Sequence, residues 1–306
     1  MRDVITVDWW GRENGYKILV DFEQRSYIQD DFGRDNEWEK IFKQECVRDV
    51  CKDKKNTIIL GPVNSRGFTS NRFNYTINGN KHDTSFHFLG KEGKVNRDIL
   101  RSIADRYFCF RDECHNSMQE YFFHLQQKGM IPQNTMAVLM REEFSNRFRE
   151  TIRDADYVET MSAHPTVPNI DETMGIVKDL KMKWGAKQVF VGTLYNETIR
   201  EFCRVFGKEN TFYVDRCRLD SYSDNSVSDL YSDNLSFADM QDHGEMMDDN
   251  RRWERTLTYL TELYICSKCN WFVAPRSSGG FVVPLLKKEE FADLYYFENT
   301  IKCEMK

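Results

Sequence analysis

Beyond residue 134 the chain alternates short apolar runs with segments whose apolar residues recur every three or four positions. Met136–Met140 (MAVLM) is apolar throughout, as a strand buried on both faces requires. In Ile170–Trp184, Met174, Val177, Leu180 and Trp184 fall at helical spacing. Asn169 stands where a cap belongs, and Glu172 completes a capping-box pattern. Gln188–Thr193 (QVFVGT) is the next strand. A second helix follows, capped by Asn196, with Ile199, Phe202 and Phe206 on its apolar face and Gly207 as its stop. Thr211–Val214 (TFYV) is a third strand, Arg251–Lys268 a long helix, Trp271–Ala274 (WFVA) a fourth strand and Leu294–Phe297 (LYYF) a fifth. This order predicts an α/β fold with a doubly wound parallel sheet. Ligands of such sheets sit at the C-terminal ends of the strands, so the residues after MAVLM, QVFVGT and WFVA are where chemistry belongs.

The first 130 or so residues are less regular. Lys17–Val20 (KILV) and Thr57–Leu60 (TIIL) read as strands, and residues 97–128 as helical with Gly129 as the stop. An α/β arrangement fits, but its strand order is unreadable. A chain of 306 residues suits two domains, divided at 1–134 and 135–306. Residues 215–250, rich in Asp, Ser, Asn and Met, lack periodicity and form a long excursion of the kind that carries function or motion.

Composition narrows the classes. With 40% hydrophobic residues the chain can bury a sizeable core, and its net charge of −6 gives no global basic field, which argues against a nucleic-acid binder. The sequence has no apolar window of the roughly 18 residues a spanning helix needs. Its start, MRDVITVDWWGREN, lacks the apolar core and cleavage site of a signal peptide. The cytoplasm is the predicted compartment, with a peripheral membrane contact allowed for by an acceptor presented at a membrane surface. The nine cysteines are odd in number and scattered, and read as reduced thiols. Cys266 and Cys269 form a C-x-x-C pair, but no second pair or His pair follows at zinc spacing. They are expected to be buried structural thiols inside an apolar helical stretch.

Three features carry candidate chemistry. Arg276-Ser277-Ser278-Gly279-Gly280 follows the strand WFVA and opens a helix. Small side chains let a ligand approach the backbone N–H groups, and a helix N-terminus adds partial positive charge, so this can cradle a phosphate; it also reads as an ordinary tight turn. Arg141 follows MAVLM at a strand end, where its guanidinium can grip a phosphate with two donors; it also reads as a surface arginine paired with Glu142 or Glu143. Glu262 lies among Leu257, Leu260, Leu263, Tyr264 and Ile265, and can accept two hydrogen bonds from a guanine edge; it also reads as a solvated helical glutamate. No Asp-x-Asp stands at a strand end, and Asp248-Asp249 lies in the acidic excursion and reads as solvated.

Residues 137–145, 164–206 and 257–286 resemble the O-fucosyltransferase and chitin-oligosaccharide fucosyltransferase superfamily, especially its bacterial fucosyltransferase-like members. The likeness is carried by AVLMREEF, by HPTVPNIDE followed by a helix and QVFVGTLYNETIREFCRVFG, and by YLTELYICSKCNWFVAPRSSGGF, the most specific block. GYKILVDFEQRSYIQD, with Asn36, Trp38 and Phe42, is a fainter echo. The resemblance implies a GT-B architecture of two Rossmann-like domains with parallel sheets, the N-terminal one on the acceptor side. It further implies an inverting, metal-independent transfer from a GDP-sugar, fucose first, to a glycan or lipid-linked oligosaccharide, with no cofactor. On it, Arg141 looks like the pyrophosphate-gripping arginine. Ser277, Ser278 and Gly279, behind Arg276, look like the phosphate loop. Glu262 looks like the guanine-reading carboxylate, and Thr193 like the threonine ending the middle strand. Glu143, close to the crevice, is the candidate general base. This sequence departs from the pattern at Leu139, where a histidine is frequent, and at Leu194, where many members have a carboxylate. It also has no Gly-x-Gly-Asn loop ahead of GYKILVD, so an incomplete N-terminal domain is expected. Since fold does not fix donor or acceptor, another nucleotide-sugar donor and a non-catalytic nucleotide- or glycan-binding protein are the alternatives.

Overall fold

The computed structural model describes residues 4, 8, 11, 15–20, 37–43, 57–60, 69–71, 74–77, 80–83, 97–142, 168–216, 218, 249–275 and 277–297. The chain forms two compact units, Met1–Ser117 with Asn234–Leu257, and Met118–Asp233 with Thr258–Lys306. The acidic excursion falls almost wholly outside the described residues, as do Glu143 and Arg276.

In the first unit β1 (Lys17–Val20) and β2 (Thr57–Leu60) pair in parallel, Lys17 opposite Thr57 through Val20 opposite Leu60. A separate antiparallel sheet is built from β3 (Thr69–Asn71), β4 (Asn74–Ile77) and β5 (Asn80–Asp83). Helix α1 (Glu37–Ile41) brings Trp38 against Phe42, with ring centroids 4.5 Å apart, and Phe42 lies 5.6 Å from Phe108. The segment 97–128, which the sequence predicts to be helical, is two helices, α2 (Arg97–Tyr107) and α3 (Asp112–Gln127), the second running on into the second unit. The break has a tertiary cause. Lys43 donates its N–H to the Cys109 carbonyl and Arg111 to that of Ile41, while Phe42 and Phe110 form an antiparallel bridge. Backbone groups that a continuous helix would use internally are thereby committed across the unit.

The second unit is built on a five-stranded parallel sheet. Its strands are β6 (Thr135–Leu139), β7 (Gln188–Gly192), β8 (Thr211–Phe212), β9 (Trp271–Ala274) and β10 (Asp293–Tyr296), in the spatial order β10-β9-β6-β7-β8. All five residues of β6 are buried, as a central strand covered on both faces demands. Helix α4 (Ile170–Trp184) joins β6 to β7; the Asn169 side chain accepts from the Glu172 N–H at 3.0 Å, and Gly185 ends the helix in the left-handed region at φ 71°. Helix α5 (Asn196–Phe206) follows β7, and here the cap differs from expectation. Tyr195 takes the cap position in an extended conformation, and Asn196 is the first helical residue. Tyr195 is wholly buried, and its N–H is held by the Thr193 hydroxyl at 3.1 Å, which fixes where the helix begins.

Strand β8 is two residues long where the sequence predicts four, since only Thr211 and Phe212 pair with β7. The Thr193 carbonyl beyond β7 is taken by the side chains of Arg216 and Arg218 rather than by strand backbone. Helix α6 (Asp249–Lys268) leads into β9, and α7 (Ser278–Leu286) leaves it. The chain thus starts at β6, builds outward to β8, then returns to the other side of β6 for β9. That reversal, between the carboxyl ends of β6 and β9, is where open α/β sheets bind ligands.

Candidate functional site

The carboxyl end of β6 is pinned to that of β7. Met140 donates its N–H to the Gly192 carbonyl at 2.8 Å. Arg141 follows, half-buried, and then Glu142, which is 3% exposed. The Glu142 carboxylate accepts from the hydroxyls of Thr193 and Thr198, the latter at 2.6 Å. Buried carboxylates need such donors. Their effect is to anchor the residue beside Arg141 to the start of α5.

Across the reversal, the stretch after β9 turns directly into α7. Ser277 is the cap: its Oγ accepts from the Gly280 N–H at 3.2 Å, and its own N–H donates to the Pro275 carbonyl at 2.7 Å. The first N–H groups of a helix have no intrahelical acceptor and carry partial positive charge. Those of Ser278 and Gly279 belong to this end. The small residues have a packing reason of their own. A Cβ on Gly279 would come 2.4 Å from the Tyr259 hydroxyl and 3.0 Å from Leu139 Cδ2; one on Gly280 would come 2.2 Å from the Pro275 carbonyl oxygen. The glycines thus let α7 start close against β6 and α6. Arg141 and the α7 N-terminus stand on the adjacent strands β6 and β9, at their carboxyl ends.

Farther along the same edge lies a buried ionic cluster. Glu262 of α6 is 1% exposed. Arg216 Nε lies 3.3 Å and Arg218 Nη2 3.5 Å from its Oε1. Both guanidiniums also donate to the Thr193 carbonyl, at 2.8 Å and 3.1 Å. Burial pushes the Glu262 carboxyl above the ordinary carboxylate range, against the pull of the two arginines. Arg218 also donates to the Val214 carbonyl and lies 5.4 Å over the Tyr213 ring. The Tyr121 hydroxyl donates to the Asp215 carbonyl at 3.1 Å and accepts from the Asp215 N–H, holding the segment that carries both arginines.

The structure thus brings Thr193 and Glu262 together, and sets Arg141 beside the strand end that carries Ser277 and Gly279. The side chain of Ser278 lies outside the described residues. Four further residues were not foreseen from sequence: Glu142, Thr198, Arg216 and Arg218. The signal for the arginines was present. They alternate just past TFYV, and a strand's carboxyl end is a ligand edge whichever strand it is. Cys266 and Cys269 are fully buried, and burial raises both thiols well above their usual range. Among the described residues no helix is long and apolar enough to cross a membrane.

No family model matches the chain, and no curated protein matches it. Among solved structures the chain is similar to NodZ alpha-1,6-fucosyltransferase soaked with GDP-fucose, at 12% identity and a TM-score of 0.45, over 92% of this chain and 86% of that one.

Proposed function

We propose that this chain is a glycosyltransferase of the GT-B kind that takes its sugar from a nucleoside-diphosphate donor, GDP-fucose first among them, and passes it with inversion to a glycan acceptor. One observation carries the reading: a strand-end arginine, Arg141, and a capped helix N-terminus occupy neighbouring strands at the sheet's reversal point. Those are the two device types that hold a diphosphate without a metal. The sequence resemblance built on AVLMREEF and WFVAPRSSGGF points to the same chemistry. In the proposed reaction the acceptor oxygen bonds to the sugar C1 as the bond from C1 to the diphosphate oxygen breaks. Charge grows on that oxygen, and Arg141, Arg276 and the Ser277–Gly279 backbone stabilise it. Glu143 takes the acceptor's proton. Thr193 and Glu262 shape the nucleoside end, the second unit holds the donor and the first the acceptor. The test is to incubate the full chain with GDP-fucose and follow GDP release with and without glycan acceptors. Release above the buffer rate is expected, and its absence with every acceptor, or equal calorimetric binding of GDP and UDP, would sink the proposal.

A further inference from the structure

The cluster at the end of β8 divides its labour unevenly. Glu262 is wholly buried, and its carboxylate already faces two guanidiniums. The Arg218 side chain is 2% exposed and anchored on Thr193, Val214 and Glu262. Arg216 is different. A guanidinium carries five N–H donors in one plane. Among the described residues Arg216 makes one hydrogen bond, from Nη2 to the Thr193 carbonyl, and its buried Nε has an ion-pair neighbour but no hydrogen-bond acceptor. Its side chain is 9% exposed and so held in one orientation with donors left over. Two arginines share one buried carboxylate, and the nearby Asp215 is exposed.

Position gives the spare donors a partner. Strand β8 lies two strands from β6 in the sheet, and neighbouring strands are about 4.8 Å apart. Arg216 follows β8, and its guanidinium, held on the Thr193 carbonyl just past β7, lies one to two strand spacings, roughly 5–10 Å, along the ligand edge from the Arg141 strand. If a diphosphate sits between Arg141 and α7, a ribose and base laid along the edge reach toward Arg216. We propose that Arg216 is the base-reading residue of the donor site, donating its planar fork to the O6 and N7 acceptors of guanine, with Glu262 and Arg218 as the residues that position it. The inference rests on the nucleotide-sugar reading above. It gives the base acceptors to read, where the sequence resemblance assigns Glu262 to the guanine N–H groups. Guanine offers O6 and N7 side by side, adenine sets an amino group in place of O6, and uracil has no N7.

Inosine diphosphate separates the two assignments, because it keeps O6, N7 and N1–H but lacks the 2-amino group that a carboxylate would grip. The experiment is calorimetry on the full chain with GDP, IDP, ADP and pyrophosphate. The wild type should bind GDP and IDP equally and ADP more weakly. Arg216→Gln should weaken GDP and IDP alike by about tenfold to a hundredfold, the range of one bidentate arginine–guanine contact, and leave pyrophosphate unchanged. Arg216→Lys, which keeps the buried charge and hence the fold, should show the same selective loss to a smaller degree. Glu262→Gln should weaken GDP in the wild-type background and cost nothing further in the Arg216→Gln background, the signature of a residue acting through another. IDP binding far weaker than GDP, or Arg216→Lys and Arg216→Gln proteins that bind GDP as tightly as wild type, would overturn the assignment. So would a wild-type chain that binds none of the four probes. Base selectivity that depends on Arg216 in a protein that turns over no donor would leave this inference standing and remove only glycosyl transfer.

Discussion

Arg141 stands two residues beyond β6, and the residue after it is tied down by two threonine hydroxyls. That arrangement separates function from folding. Removing the Arg141 fork leaves the buried strand and the Glu142 anchor in place. Arg141→Lys keeps the charge but loses the planar pair of donors, and turnover should fall by about 10²–10³-fold, as when one preorganised donor is lost. The melting temperature should barely move. Thr198→Val should do the reverse: it strips a donor from a buried carboxylate, which costs about 1–3 kcal/mol and shows as a lower melting temperature with donor binding largely kept. At this scale the sequence was readable where a residue sat at a recognised strand end, as Arg141 and Thr193 do. Arg216 and Arg218 were hidden by the Asp- and Ser-rich segment that begins beside them, and Glu142 by the assumption that a charged residue next to an arginine lies in water.

At the scale of elements, the start of α7 shows how packing and site share one set of residues. Gly279→Ala would push a methyl onto the Tyr259 hydroxyl and Leu139, an overpacking worth about 1–3 kcal/mol. Tyr259→Phe in the same chain should recover part of that stability. Gly280→Ala meets the Pro275 backbone oxygen at 2.2 Å, so no side-chain change should rescue it; thermal unfolding of the three variants checks both statements. Helix α6 supplies a further test. Cys266 and Cys269 are fully buried with raised pKa values, whereas Cys109 is exposed. Iodoacetamide should modify Cys109 in the native protein and reach the pair only on unfolding. The elements that sequence located well, α4 and β9 among them, are those whose period, cap and stop agree with one another. Those it missed were decided elsewhere in the chain. The break between α2 and α3 is imposed by hydrogen bonds from residues 41–43, and the antiparallel strands TSN, NYTI and NKHD carry no apolar run to announce them.

One edge of the second unit carries Arg141 at the end of β6, Arg216 and Arg218 past β8, and the α7 N-terminus past β9. This grouping fixes what kind of help a leaving diphosphate would receive. A divalent cation would neutralise the same oxygens from a carboxylate seat. At this edge Glu142 Oε1 accepts from Thr193 and Thr198, and Glu262 faces two arginines. An arginine never loses its charge, and backbone donors do not dissociate, so the electrostatic stabilisation is built into the chain. Donor turnover should therefore be unchanged by EDTA and not raised by Mg²⁺ or Mn²⁺, and should fall as salt rises and screens the half-exposed Arg141. Turnover of GDP-fucose measured in EDTA, in Mg²⁺ and across a salt series decides the matter. Loss of activity in EDTA with recovery on adding Mg²⁺ or Mn²⁺ would mean that a metal, not this edge of arginines and helix N–H groups, carries the developing charge.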